Sequence, residues 1–207
     1  MISTVIFDWG NVLCPDNNEY ASKKLSDNYG IDQGYLYKRL SEDEVNYSSQ
    51  LDCEPYFDTI FDSLSIPKNE LKRLLNEVQI REGMKELVSE LAGSYDLYLF
   101  SNQMQFRTDF IKKTYDLSCF KATFFSSEMG VMKPAKDAFR IVLNHISTRA
   151  EDCLFIDDNM LNIRTARDLG IHCILFTGEE SLKQELLEMG ILQKDPVTSS
   201  LCTRSGL

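Results

Sequence analysis

The sequence lacks the features of a membrane-bound, secreted or nucleic-acid-binding protein. It contains no apolar run long enough to cross a bilayer, and the apolar run near its start ends at Asp8 with no basic segment before it. Only 22 lysine and arginine residues stand against 32 aspartate and glutamate residues, which gives a formal net charge of −10. Such a charge disfavours binding to nucleic acids or anionic membranes. We therefore expect no signal peptide, no membrane partner and no nucleic-acid partner.

Cysteine and histidine patterns that bind metals are also missing. The six cysteines are scattered and form no Cys-x-x-Cys pair, and Cys153 and Cys173 lie within strand-like apolar runs. The two histidines, His145 and His172, lack the spacing of metal ligands. We expect neither a disulfide framework nor a zinc site, and scattered reduced thiols predict a cytoplasmic protein.

What the sequence does contain is typical of a globular protein. Hydrophobic residues make up 43% and charged residues 26% of the 207 residues, enough for one domain or one domain with an insertion. Residues 2–8 form a largely apolar, partly β-branched run that stops at Asp8, two residues before Gly10. This pattern indicates a buried strand that carries Asp8 at its carboxyl end. At such a position an acid either caps the following turn or serves as a nucleophile or metal ligand.

Helical spacing then replaces strand patterns as far as Ile80, and alternating strands and helices follow. In the first of these regions we predict helices at 20–29, 35–40, 56–64 and from Pro67, with a loop at 41–52. In the second, strands are predicted at 96–100, 122–126, 153–156 and 172–176. Helical crossovers between strands predict an α/β fold with a doubly wound parallel sheet. The predicted division is a sheet core of residues 1–13 and 81–194, a helical unit of residues 14–80 and a flexible tail of residues 195–207.

Polar residues follow the predicted strands at their carboxyl ends, the edge at which parallel sheets bind ligands. The set comprises three acids, a lysine and two small hydrogen-bonding side chains: Asp8, Ser101, Asn102, Lys133, Asp157 and Asp158. Three acids at one edge repel one another unless a hard divalent cation lies between them, and Mg²⁺ suits an all-oxygen site. Each feature alone also has a structural explanation in turn chemistry or helix capping.

Taken together, these residues resemble the haloacid dehalogenase superfamily over nearly the full length of the chain. The first motif is matched by Phe-Asp-Trp-Gly-Asn-Val at residues 7–12, the second by Ser101-Asn102, the third by Lys133-Pro134 and the fourth by residues 155–159. The helical unit resembles the family's small cap. The first motif is also similar to that of a bacterial subgroup that includes a glucose 1-phosphate phosphatase. The resemblance implies a Rossmann-like core with an inserted helical cap, in a monomer or a homodimer.

The resemblance further implies a Mg²⁺-dependent phosphatase acting on a small phosphorylated metabolite, for which a sugar phosphate is one candidate. Asp8 would be the nucleophile that forms an aspartyl-phosphate. Mg²⁺ would be held by Asp8, the backbone carbonyl of Gly10 and the Asp157-Asp158 pair, with the direct ligand of that pair left open. The phosphoryl oxygens would be bound by Ser101, Lys133 and backbone N–H groups near Trp9. Asn102 would support the loop or contact the substrate.

The sequence departs from the family's phosphatases at Gly10, where they carry a second aspartate as general acid and base. Losing a general acid typically lowers the rate by about 10²–10⁴-fold. Three alternatives follow: a phosphatase with another source of protons or an undemanding leaving group, a metal-independent 2-haloacid dehalogenase, or a catalytically silent relative that binds phosphorylated ligands. The paired acids favour a metal and hence the phosphatase, and no arginine precedes Arg39 to bind a halide. Residues 16–20 are candidates to contact the substrate or to cap the next helix.

Overall fold

The computed structural model describes residues 1–50 and 66–193, with side chains 43–46 left out of the description. The predicted helix at 56–64 and the predicted tail from residue 195 lie outside these residues. Within the described part, the strands are β1 Thr4–Phe7, β2 Asp96–Ser101, β3 Ala122–Phe125, β4 Cys153–Asp157 and β5 His172–Leu175. They form a parallel sheet in the order β3-β2-β1-β4-β5. The predicted doubly wound parallel α/β fold is confirmed.

The helices of the described residues separate into an early group and a later group. Between β1 and β2 lie α1 Asn17–Tyr29, α2 Gln33–Tyr47, α3 Lys68–Asn76 and α4 Glu82–Ala92. Later in the chain lie α5 Gln105–Thr114, α6 Ser126–Met129, α7 Lys136–Ile146, α8 Met160–Asp168 and α9 Glu179–Glu188. None of the helices in residues 1–50 and 66–193 combines the length and apolarity that a bilayer crossing requires.

The strand period of two residues divides the core of the sheet into two faces. Val5 and Phe7 of the central strand β1 pack into one apolar cluster, which α4 and α9 cover with residues such as Leu87 and Leu182. Ile6, between them, packs into the cluster on the opposite face. Every residue of β1 is buried, as a central strand of a doubly covered parallel sheet requires. The faces of β1 are therefore covered, and only the ends of the strand can present side chains to a ligand. Its carboxyl end lies at the edge of the sheet that carries the polar residues.

The helical insert after β1 has an apolar cluster of its own. That cluster contains residues of α1, α2 and α3, one residue that precedes α3 and one that precedes α5: Ala21, Leu25, Leu36, Leu40, Ile66, Leu71, Leu74, Leu75 and Met104. Because residues three and four apart share a helix face, Leu71, Leu74 and Leu75 of α3 all face the cluster. Met104, which follows β2 by three residues, packs into this cluster and so brings a residue of the core into contact with the insert.

The predicted loop at 41–52 is wrong for its first half, because α2 continues to Tyr47. Lys38 and Glu42, one helical turn apart, form an exposed pair with 3.7 Å between Nζ and Oε1. The start of α1 also precedes the predicted Tyr20, because Asp16 caps the helix by accepting hydrogen bonds from two backbone N–H groups.

Candidate active site

A cavity of about 250 Å³ lies at the carboxyl edge of the sheet, between the core and the helical insert. The core contributes Asp8, Gly10, Asn11, Ser101, Asn102, Gln103, Met132, Lys133, Asp158, Asn159 and Asn162, and the insert contributes Asp16, Asn17, Asn18, Ser41 and Ser48. The cavity arises because β1, β2 and β4 are neighbours and end at the same edge. Of the predicted site residues, Trp9 and Asp157 are absent from this lining.

Three carboxylates meet below the cavity. Asp8, Asp157 and Asp158 each offer one oxygen, and the three oxygens lie within 4.8 Å of one another. The ammonium group of Lys133 lies among them, 3.0 Å from Asp8 Oδ1 and 2.6 Å from Asp157 Oδ2. It also donates to the backbone carbonyl of Phe100 at 2.9 Å. All three hydrogens of the ammonium group therefore have acceptors, and the side chain is 1% exposed.

Burial sets the electrostatics of this cluster. It raises the pKa of Asp8 to about 7; the charge of Lys133 opposes that rise, and the charge of Asp157 adds to it. Burial alone would lower the pKa of Lys133, but the two carboxylates outweigh it and the pKa is raised, so the ammonium stays charged. Burial also raises the pKa of Asp158, although the hydrogen bond from Asn11 acts to lower it. An additional cation would relieve this excess of negative charge, and an all-oxygen donor set fits Mg²⁺.

The two adjacent acids at the carboxyl end of β4 have different surroundings. Asp157 is fully buried and accepts hydrogen bonds from Lys133 Nζ, from the backbone N–H of Asn159 at 2.8 Å and from Asn162 Nδ2 at 3.0 Å. Asp158 lines the cavity, and Asn11 Nδ2 donates to its Oδ2 at 2.9 Å. The structure thus places Asp158, and not Asp157, beside the space that a ligand would occupy.

The other predicted residues divide between the cavity and its support. Asn102 exchanges two hydrogen bonds with the backbone of Lys133, at 2.8 and 2.9 Å, and so ties the loop after β2 to the loop before α7. The backbone N–H of Trp9 donates to Asp8 Oδ1 at 2.7 Å. The ring of Trp9 is buried in the core, with its centroid 5.0 Å from that of Tyr115. Only the backbone of Trp9 can therefore serve the site.

Two further residues of the site were not singled out from the sequence. Asn11, held at a positive φ of 54°, aims its amide at Asp158. Gln103 donates from Nε2 to Ser101 Oγ at 3.1 Å and accepts from Arg107 Nε at 2.9 Å. Asparagine tolerates the left-handed backbone region better than most residues, so its place in the first motif was a usable signal. The sequence around Gln103 contained no such signal, because the role of Gln103 depends on its hydrogen bond with Arg107, one helical turn later.

The helical insert contributes amides to the cavity. Asn17 and Asn18 are 8% and 7% exposed and belong to the lining, as does Asp16. Asp16 also caps α1, and Tyr37 donates a hydrogen bond to its Oδ2 at 3.0 Å. The predicted cap of the next helix is confirmed at Asp16. Asp16, Asn17 and Asn18 also line the cavity, whereas Glu19 and Tyr20 are absent from its lining. Contact of these residues with a substrate stays a prediction.

Comparison with known proteins assigns the chain to a family. The model of the haloacid dehalogenase-like hydrolases matches residues 2–170. Among curated proteins, drimenol cyclase drtB of Aspergillus calidoustus is 28% identical over 197 residues, which is 90% of this chain and 36% of that protein. Flavin mononucleotide hydrolase 1 of Arabidopsis thaliana is 30% identical over 112 residues, 53% of this chain and 45% of that protein. The chain thus spans less than half the length of either relative.

Solved structures share the fold. A predicted haloacid dehalogenase-like family hydrolase from Porphyromonas gingivalis superposes with a TM-score of 0.77 at 23% identity, over 93% of this chain and 100% of that one. A family enzyme from Bacteroides thetaiotaomicron, in complex with magnesium and inorganic phosphate, gives 0.72 at 20% identity, over 84% and 93%. L-2-haloacid dehalogenase from Xanthobacter autotrophicus gives 0.65 at 16% identity, over 93% and 85%. The match to the family model and the shared fold show that this chain belongs to the haloacid dehalogenase-like hydrolases.

Proposed function

We propose that this hydrolase is a Mg²⁺-dependent phosphatase that acts on a small phosphate monoester through an aspartyl-phosphate on Asp8. The observation that carries the proposal is the meeting of three carboxylate oxygens within 4.8 Å beside a polar cavity. Dehalogenation needs no metal, so it gives no reason for three acids to converge. Phosphoryl transfer does, because a cation held there would neutralise charge on the phosphoryl group.

The hydrogen bonds of Asp8 select the oxygen that attacks phosphorus. Both Lys133 Nζ and the backbone N–H of Trp9 contact Oδ1. Oδ2 is then the attacking oxygen, and the carboxylate is held in one orientation before substrate arrives. Such positioning converts an encounter into an effectively intramolecular reaction. Ser101 lies on the cavity wall and hydrogen-bonds to Asp8, and it is the candidate to redirect that hydrogen bond to a phosphoryl oxygen when substrate binds.

Mg²⁺ would be held by Asp8, the backbone carbonyl of Gly10 and Asp158, all of which line the cavity. When bound, the ion neutralises charge on the transferring phosphoryl group. Asp157 would act through its neighbours, because its carboxylate is already engaged by Lys133, Asn159 and Asn162. Lys133 would hold Asp8 and Asp157 in place with its positive charge. Its predicted contact with the phosphoryl group stays a prediction, since all its hydrogens already have acceptors.

The cavity favours a small, hydroxyl-bearing substrate. Its volume of about 250 Å³ is below the usual ~300–1,000 Å³ of ligand pockets. Asn17, Asn18 and Ser41 supply polar groups on the side of the insert, and such groups suit the hydroxyls of a sugar phosphate. The name of the flavin mononucleotide hydrolase relative supports phosphate ester hydrolysis as the reaction class. The family enzyme crystallised with magnesium and phosphate supports the choice of ion.

A panel of aryl and sugar phosphates tests the proposal. With Mg²⁺ the protein should release inorganic phosphate from at least one of them, and Asp8→Asn should abolish that release. Chelation of Mg²⁺ should do the same and be reversed by added metal. If no phosphate compound shows turnover that depends on Asp8, the proposal is wrong and the silent relative becomes the better interpretation.

A 2-haloacid dehalogenase is the second candidate, and Gly10 is the observation that favours it. Carbon-centred displacement by a carboxylate requires no general acid two residues after the nucleophile, and the fold is shared with an L-2-haloacid dehalogenase. Chloride release from 2-chloropropionate in the presence of a chelator would support this candidate. Its absence, together with metal-dependent release of phosphate, would exclude it.

A further inference from the structure

Gln103 occupies the space beside Gly10. A Cβ atom placed at Gly10 would lie 4.0 Å from Gln103 Nε2, and within 4 Å it would meet no other described atom beyond its chain neighbours. Gln103 follows the second motif, 93 positions from Gly10 in sequence. It is 3% exposed and belongs to the cavity lining. A carboxamide thus stands next to the one position of the first motif that has no side chain.

Arg107 fixes which end of that carboxamide faces the cavity. The guanidinium has only donors, and Arg107 Nε lies 2.9 Å from Gln103 Oε1, so the oxygen must point toward the arginine. The NH₂ group then points the other way, toward Ser101 and Gly10. One of its two hydrogens is donated to Ser101 Oγ at 3.1 Å. In the part of the chain that the structure describes, no acceptor is found for the other.

The residues around Gln103 hold it rigidly. Its backbone N–H donates to Ser126 Oγ at 2.9 Å, and that hydroxyl donates in turn to the backbone carbonyl of Ser48 in the insert. Arg107, 3% exposed, reaches Asn76 Oδ1 of the insert at 3.4 Å. A donor held in this way needs no reorganisation during reaction, and this is the condition under which hydrogen bonds contribute most to catalysis.

The described residues that line the cavity supply no group suited to protonate a leaving oxygen. The titratable ones are Asp8, Asp16, Lys133 and Asp158. Asp8 and Asp158 belong to the nucleophile and metal set, and every hydrogen of Lys133 already has an acceptor. Asp16 accepts hydrogen bonds from two backbone N–H groups and from Tyr37, so its carboxyl oxygens are already engaged in capping α1. A leaving oxygen served only by these described residues would therefore depart as an anion.

From this geometry we propose that Gln103 is a catalytic residue that donates the second hydrogen of Nε2 to the leaving-group oxygen, and that the site is selective for phosphoryl compounds with weakly basic leaving groups. The substrate class is then aryl, enol or acyl phosphates and, among sugar phosphates, those esterified at the less basic anomeric hydroxyl, rather than primary alkyl phosphates. The inference rests on the proposed phosphatase function and names the substrate class of that same site.

The step balances without a proton donor in the site. The bond between Asp8 Oδ2 and phosphorus forms while the bond between phosphorus and the leaving oxygen breaks. The leaving oxygen keeps the electron pair, accepts the hydrogen bond from Gln103 Nε2 and takes a proton from bulk water after departure. Water then attacks phosphorus, the Asp8 carboxylate is regenerated, and the proton of that water passes to solvent. An amide stabilises the anion but does not transfer its hydrogen.

A series of phosphate compounds with graded leaving groups tests this inference. We expect kcat/KM to fall by at least about 100-fold from 4-nitrophenyl phosphate to a primary alkyl phosphate, the typical contribution of a missing general acid. Gln103→Leu should lower kcat for aryl phosphates by about 100-fold, the usual effect of removing one such donor, with little change in KM. Gln184→Leu, on the exposed face of α9, is the matched control and should leave the kinetics unchanged.

Gly10→Asp supplies the opposite change. The space beside Gly10 accepts a side chain at ordinary contact distance, so a carboxyl placed there should raise alkyl phosphate turnover at least 10-fold relative to 4-nitrophenyl phosphate. Should Gln103→Leu not fold, as judged by circular dichroism, Gln103→Met replaces it with an unbranched chain of the same length.

The outcomes separate the two claims. If the wild type hydrolyses alkyl and aryl phosphates equally well, or if both Gln103 variants match the wild type, the role of Gln103 is wrong and the phosphatase proposal stands. If no compound in the series shows turnover that depends on Asp8, the phosphatase proposal fails and the inference fails with it. A steep dependence on the leaving group in the wild type, flattened by Gly10→Asp, supports both.

Discussion

Two sets of side chains in the cavity lining and directly behind it are held together by different physics. One, the carboxylate wall, consists of Asp8, Asp157, Asp158 and Lys133, of which Asp158 is half-buried and the other three are buried. The other, the amide wall, consists of Ser101, Gln103 and Arg107, of which only Arg107 is charged. Each residue of the carboxylate wall would be unstable without the others, because an isolated buried charge is costly. The amide wall holds its donors by hydrogen bonds and so tolerates loss of one member better.

The two walls would have different roles in the proposed reaction. The carboxylate wall would supply the nucleophile and the metal site, whereas the amide wall would aim hydrogens at oxygens that gain charge. Substitutions on the carboxylate wall should therefore change both activity and stability, and those on the amide wall should change activity more than stability. The predictions below test that contrast, from the largest expected effect to the smallest.

The largest effect is expected at the nucleophile. Asp8→Asn should lower phosphate release by at least about 10⁴-fold, because a carboxamide oxygen is a poor nucleophile and cannot form the aspartyl-phosphate. Steady-state kinetics with 4-nitrophenyl phosphate and Mg²⁺ measures this. The control is Asp137→Asn, an exposed acid of α7 paired with Arg140, which should retain full activity. Substantial turnover by Asp8→Asn would remove Asp8 from the mechanism.

Removing the central cation should have the largest effect on stability. Lys133→Met leaves Asp8 and Asp157 buried without their counter-charge, which should lower the free energy of unfolding by about 3–5 kcal/mol. Urea denaturation at pH 8 without metal measures the change. Lys136→Met, which removes an exposed lysine 3.6 Å from Asp168, should change stability by less than about 0.5 kcal/mol. Equal stability of the two variants would contradict the proposed dependence among the buried charges.

Asp8 should make the stability of the metal-free protein depend on pH. Its folded pKa of about 7 exceeds the ordinary value of 3.8, so the folded protein binds a proton more tightly than the unfolded chain. The stability that this proton provides is complete below pH 3.8 and is lost as pH rises through 7. Asp8→Asn should therefore be more stable than the wild type at pH 8 in a chelator, by up to about 4 kcal/mol.

Thermal melts at pH 5 and pH 8 measure the effect, and the advantage of Asp8→Asn should shrink at the lower pH. Added Mg²⁺ should stabilise the wild type at pH 8 and leave Asp8→Asn nearly unchanged. A variant that is less stable than the wild type at pH 8 would show that the attraction of Lys133 outweighs the burial of Asp8.

The smallest predicted effect concerns the residue that holds Asp158. Asn11→Gly keeps the positive φ without cost but removes the amide that donates to Asp158 Oδ2. The Mg²⁺ concentration for half-maximal activity should rise by about 10–100-fold, as for other groups that orient metal ligands. Activity at saturating Mg²⁺ should recover. If Mg²⁺ affinity is unchanged, Asp158 does not depend on Asn11 for its orientation.

The carboxylate wall could be predicted from the sequence, and most of the amide wall could not. Asp8 and the pair Asp157-Asp158 come at the ends of apolar runs in the sequence, and the carboxyl ends of parallel strands meet at one edge of the sheet. Their convergence could therefore be predicted. The role of Gln103 depends on its approach to Gly10, 93 positions away. No local pattern encodes that distance. The extension of α2 to Tyr47 was missed for a different reason, since a polar helix face and a loop have similar composition.

The most direct test of the central claim is to trap the covalent intermediate. The protein is mixed with 4-nitrophenyl phosphate and Mg²⁺, quenched in acid within the first turnover and digested for mass spectrometry. We expect one phosphoryl group on the peptide that contains Asp8, and none in Asp8→Asn. Turnover that depends on Mg²⁺ while the peptide carries no phosphoryl group, or carries it at another residue, would contradict the account.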